Sequence, residues 1–108
     1  MITPEGKIKL QVKKLLDHPN IWYYMPVTNG MGAATVDFLC VVRVITVPIF
    51  FCIETKAPGK KPTPRQNLLM QELRERMNVI CHVIDGDEKL KEFETWLTQV
   101  LKGPGRQA

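Results

Sequence analysis

Val47-Pro48-Ile49-Phe50-Phe51-Cys52-Ile53-Glu54-Thr55-Lys56 decides how this chain folds. The run from Val47 to Ile53 is apolar throughout, far too short for a membrane span and suited to an interior strand. It closes on Glu54 and Lys56, which lie two residues apart and so share one face of a strand. Ionised groups on such a strand are costly unless they are paired or bind a metal. Upstream, a second apolar run, Phe38 to Val42, is opened by the acid Asp37. An antiparallel hairpin that sets Asp37 opposite Glu54 centres its turn between Ile45 and Thr46. The two carboxylates then stand on neighbouring strands, with Cα atoms roughly 4.5–5.5 Å apart. Two acids and a lysine at one sheet edge make a site for a hard divalent cation with an ammonium beside it. That constellation suits phosphodiester hydrolysis.

The bulk numbers fit this reading. A chain of 108 residues is one domain, large enough to bury a core without disulfides or metals as staples. A hydrophobic content of 44% with 24% charged residues is that of a globular protein rather than a disordered one. No apolar run reaches the roughly 18 residues a membrane span requires. Glu5, Lys7 and Lys9 interrupt any signal-peptide core. Cys40, Cys52 and Cys81 are odd in number and each sits in an apolar run, so they read as reduced core residues of a cytoplasmic protein. No Cys-x-x-Cys or nearby Cys/His spacing offers a zinc site. The net charge of +4 favours a polyanionic partner without requiring one. Lys7, Lys9, Lys13 and Lys14 fall on the first helix. Lys60, Lys61 and Arg65 follow Lys56, where they either hold phosphates or form a solvated loop.

The chain begins with a helix capped by Thr3, with Pro4 in its first position and Ile8, Val12, Leu15 and Leu16 on its buried stripe. Glu5 shares that face. It is either part of the site or a first-turn acid favourable to the helix dipole. A short aromatic strand, Ile21 to Met25, follows. Residues 28–34 form a small-residue loop in which Asn29 and Gly30 allow close approach of a phosphate backbone, or else simply connect. Strands at 36–44 and 47–56 come next. A second helix starts at Thr63-Pro64-Arg65-Gln66, with Leu69, Met70, Leu73 and Met77 as its buried stripe. Gln66 falls on that stripe and also at the third position of a capping box. A strand from Val79 to Ile84 carries His82, read as a partly buried structural histidine. A final helix buries Leu90, Phe93, Trp96, Leu97 and Val100. The order α-β-β-β-α-β-α describes an α/β domain with a mixed sheet over residues 1–102, and 103–108 read as a flexible tail.

The ordered set of Glu5 in the first helix, Asp37 opening a strand, Glu54-Thr55-Lys56 ending the next and Gln66 opening a helix resembles the PD-(D/E)xK nuclease superfamily. Within it the chain is most similar to the VRR-NUC family, the virus-type replication-repair nucleases. The glycine-rich approach Asn29-Gly30-Met31-Gly32 and the Thr-Pro-Arg-Gln helix start add to the likeness, which spans about residues 3 to 100. One departure is Val36, where that family often has proline before the acid.

The resemblance implies a standalone endonuclease domain of phage or bacterial type, working in the cytoplasm. Asp37 and Glu54 would ligate Mg²⁺ or Mn²⁺, joined by the Thr55 backbone carbonyl and by Glu5, directly or through water. Lys56 would orient or activate the attacking water, and Gln66 would position Lys56 or the substrate. Expected products are a 5′-phosphate and a 3′-hydroxyl. Small members of this kind resemble Holliday-junction resolvases acting as homodimers on branched DNA. The residues also allow a flap or splayed-end nuclease, a non-cleaving nucleic-acid-binding module on the same fold, or a structural protein whose acids and lysine form internal ion pairs.

Overall fold

The computed structural model describes residues 2–27 and 35–103. Its elements are α1 (Pro4–Leu16), β1 (Ile21–Tyr24), β2 (Phe38–Val44), β3 (Val47–Thr55), α2 (Pro64–Met77), β4 (Ile80–Ile84) and α3 (Asp87–Lys102). This is the α-β-β-β-α-β-α order read from the sequence. The four strands form one mixed sheet in the order β1-β2-β3-β4. The first three are antiparallel, and β4 joins β3 in parallel through the α2 crossover.

The β2–β3 register pairs Phe38 with Ile53 and Val44 with Val47. Extending it by one rank sets Asp37 opposite Glu54. Ile45 and Thr46 are left as the turn, with Ile45 at φ 59°. A β-branched residue in the left-handed region is strained. This explains why a turn lacking Gly or Asn carries no clear signal in the sequence. The regular part of β2 starts at Phe38 rather than at residue 36, because Asp37 sits in a bend.

Helices cover both sheet faces. α1 and α3 share one, where Ile8, Val12 and Leu16 meet Phe38, Val42, Phe51, Ile53, Phe93 and Leu97 in the main core. α2 covers the other, where Met70 packs with Val36 and Cys52. Thr3 caps α1 by accepting from the Gly6 N–H at 3.0 Å. Thr63 and Gln66 close a complete capping box on α2.

One expected core residue is not there: Met77 is 66% exposed. α2 ends at Asn78 in the left-handed conformation, the Val79 N–H donates to the Leu73 carbonyl, and Val79 packs on the second core instead. His82 lies among Phe51, Phe93 and Trp96, with ring centroids 4.6–6.1 Å away. This is the structural setting expected of it, and burial pulls its pKa down to about 4. Cys40, Cys52 and Cys81 are free thiols. Residues 104–108 of the expected tail lie outside the described residues, as do Asn29 and Gly30 of the small-residue loop.

Candidate active site

The site begins at the open end of the β2–β3 hairpin, where the apolar pattern of both strands gives way to charge. Glu54 is only 2% exposed, and Thr55 is fully buried beside it. The two carboxylates are built into the hairpin by reciprocal bonds. The Asp37 N–H donates to Glu54 Oε1 at 3.1 Å. The Thr55 N–H and Oγ1 hydroxyl both donate to Asp37 Oδ2, at 2.8 and 2.7 Å. Each acid is therefore held by the strand that carries the other, and their relative placement follows from backbone register rather than from side-chain rotamers alone.

Lys56 reaches back along β3 so that its Nζ lies 3.0 Å from Glu54 Oε2. Its own backbone N–H donates to the Ile84 carbonyl, tying this end of β3 to β4. Gln66 arrives from α2. Its side-chain carbonyl accepts from the Thr63 N–H at 3.0 Å, and its amide donates to Glu54 Oε2 at 2.6 Å. The two readings of Gln66 are thus one arrangement. The helix cap orients the side chain, and the free end of that side chain braces the carboxylate.

Burial disfavours the charged form of Glu54 and raises its pKa, and the neighbouring Asp37 charge adds to the rise. The hydrogen bond and charge of Lys56, and the Asp37 N–H, act in the opposite sense. Two acids this close, one of them buried, favour positive charge at their shared edge, and Lys56 supplies part of it at Glu54.

Glu5 is placed differently. It is linked to the acid pair through Lys9, whose Nζ lies 3.6 Å from Glu5 Oε2 and 3.5 Å from Asp37 Oδ1. Lys9 is the residue that sequence reasoning missed. Its four-residue spacing from Glu5 was a legible signal, but its reach to Asp37 depends on how α1 lies on the sheet. Lys60, Lys61 and Arg65 are exposed, in the β3–α2 loop and the first turn of α2. Among the described residues no three His, Cys, Asp or Glu side chains gather into a metal-binding group. The available donors are the carboxylates of Asp37 and Glu54. An oxygen-only pair fits a small hard ion that binds through one or two carboxylates and keeps several waters, as Mg²⁺ does.

No family model matches the sequence, and no curated protein matches it. A search of solved structures finds a chain titled "VRR_NUC domain" that is similar over 84% of this chain and 94% of that one, with a TM-score of 0.68 and 18% sequence identity. The two share the four-stranded mixed sheet flanked by helices and the order of strands and helices. This chain therefore has the fold of a VRR_NUC domain.

Proposed function

We propose that the chain is a Mg²⁺- or Mn²⁺-dependent endonuclease that hydrolyses phosphodiester bonds in branched DNA, in the manner of a Holliday-junction resolvase. The observation that carries this reading is the locked pair Asp37 and Glu54 with Lys56 at 3.0 Å from the buried acid. A bound divalent ion supplies Lewis-acid charge at the phosphoryl group. Asp37 and Glu54 would hold it, joined by the Thr55 backbone carbonyl and by Glu5, directly or through water. Lys56 would orient the attacking water and offset charge developing on the phosphate. Gln66 fixes the Glu54 carboxylate while this happens, and Thr55 does the same for Asp37. Lys60, Lys61 and Arg65 would contact the DNA backbone, and Asn29 and Gly30, outside the described residues, would join them by the family resemblance. The products would carry a 5′-phosphate and a 3′-hydroxyl.

The test is cleavage of labelled linear, flap, splayed and four-way DNA in Mg²⁺, in Mn²⁺ and in EDTA. Cutting should require the metal and be lost in Glu54→Ala, which should stay folded and still bind DNA. Lys56→Ala should lose at least about 100-fold in rate while keeping most of its metal affinity. Undiminished cutting in EDTA overturns the mechanism.

One observation favours a second reading. Lys9 pairs with Asp37 and Lys56 with Glu54, so the acids already have cationic partners within the chain. A structural or interaction protein whose acids and lysines form internal ion pairs would look the same. The readings separate by melting: Mn²⁺ raises the melting temperature of a metal-binding nuclease and leaves an ion-pair network unmoved.

A further inference from the structure

β3 and β4 run parallel with Cys52 directly opposite Cys81. Side chains of register partners leave the same face of a sheet, and neighbouring strands about 4.8 Å apart fall within the Cα separation that a disulfide spans. The two sulfurs are 3.1 Å apart, with the Cys52 thiol donating to Cys81 Sγ. Cys81 Sγ is itself 3.6 Å from the Met70 carbonyl and 3.8 Å from that of Val79, so the thiols are aligned in series. The third cysteine is excluded from this arrangement. Cys40 belongs to the core on the α1 and α3 side of the sheet, whereas Cys52 and Cys81 belong to the α2 side.

We propose that Cys52 and Cys81 are a thiol-oxidation site that closes to a reversible disulfide when the protein meets a hydroperoxide. This role is independent of the nuclease reading. Sulfur–sulfur bonding at about 2.05 Å requires the two atoms to close by roughly 1 Å. Among the described residues β4 is an edge strand with no further strand on its outer side, and is the element placed to make that movement.

Cys81 is the half-buried member and Cys52 is fully buried. This difference sets the order of events. The Cys81 sulfur attacks a peroxide oxygen, the O–O bond breaks, and Cys81 becomes a sulfenic acid with release of water or an alcohol. The Cys52 sulfur then attacks the Cys81 sulfur and the S–O bond breaks. The departing hydroxide takes the Cys52 proton and leaves as water. Two thiols are oxidised by two electrons and one peroxide is reduced. Burial and the adjacent sulfur hold Cys52 strongly in the thiol form, so its attack on the sulfenic acid is the slower of the two steps. The cross-link would close a loop that contains all of α2, and would pin β4 beneath the helix that carries Gln66.

The test treats the folded wild-type protein with hydrogen peroxide, blocks remaining thiols with iodoacetamide and maps peptides without reduction. The expected result is a Cys52–Cys81 linked peptide, an intact mass lower by two hydrogens, recovery with dithiothreitol, and a melting temperature raised by about 5–15 °C. Cys40→Ala should cross-link like wild type, and Cys81→Ser should not. Three outcomes overturn the proposal: Cys81 advancing to sulfinic acid while Cys52 stays a thiol, links that join Cys81 of two molecules, or both thiols remaining unoxidised under conditions that oxidise free cysteine.

Discussion

Gln66 shows how much one side chain can carry here. Its carbonyl end completes the α2 cap and its amide end donates to a carboxylate that is almost fully buried. Gln66→Glu preserves the capping oxygen but sets a second carboxylate against Glu54. It should cost about 1–3 kcal/mol, the penalty for leaving a buried acceptor without its donor, and thermal melting would register the loss. A glutamate variant that melts with wild type would mean the amide contact contributes nothing. Glu5 poses the complementary question, because it meets Asp37 only through Lys9. If Glu5 works by holding Lys9, then Glu5→Gln and Lys9→Met should each slow cleavage by about tenfold, and the double variant should be no slower than either. Multiplicative losses in that cycle would instead give Glu5 a role of its own at the metal.

Among the elements, α3 meets the sheet partly through the rings of Phe93 and Trp96, which pack around His82. Its Nε2 is buried and has no hydrogen-bond partner among the described residues. Burial lowers the folded-state pKa from 6.5 to about 4. The unfolded chain therefore binds more protons between those two values, so stability is full above pH 6.5 and is lost as pH falls towards 4. The slope from this residue approaches about 1.4 kcal/mol per pH unit within that window. His82→Phe should flatten the acid side of the stability curve and equal or exceed wild type at pH 7. Denaturant melts at pH 4.5, 5.5 and 7 provide the check. A second element-level expectation concerns the β3–α2 connection. Replacing Lys60, Lys61 and Arg65 with alanine should weaken DNA binding and flatten its salt dependence by up to about 0.9 log units per lost contact. An unchanged salt slope would leave these three side chains out of the DNA contact and assign the substrate to the α1 lysines.

At the scale of the whole molecule, the described residues leave the sheet partly bare. Trp22 is 63% exposed and Phe50 56%, and they lie in one rank with Val41 between them. Ile45 and Val47 add exposed aliphatics at the hairpin tip. Contiguous apolar surface is a feature of protein contact sites, and a homodimer proposed for this chain would use it. A second copy related by a two-fold axis would cover it and supply the second site that symmetric junction cutting needs. Sedimentation at micromolar concentration should then give about twice the chain mass, with Trp22→Glu and Phe50→Lys shifting it to the monomer. A wild-type monomer that cuts flaps as readily as junctions would remove the dimer and leave the nuclease proposal in place.

What the sequence determined by itself is everything governed by short-range rules. The hairpin register that opposes Asp37 and Glu54 follows from the period-two pleat and a two-residue reversal. The start of each of the first two helices follows from Thr-Pro capping. The buried stripe of α3 follows from helical spacing. Local geometry leaves few alternatives at that range. Tertiary structure decided the rest. It exposed Met77 and packed Val79 in the second core. It set Lys9 between Glu5 and Asp37, brought the Gln66 amide onto Glu54, enclosed His82 in aromatic rings and aligned Cys52 with Cys81. Each of these depends on α1 docking, the α2 crossover or the parallel pairing of β4. Such contacts are made between segments far apart in the chain, so spacing along the sequence does not encode the distances between them.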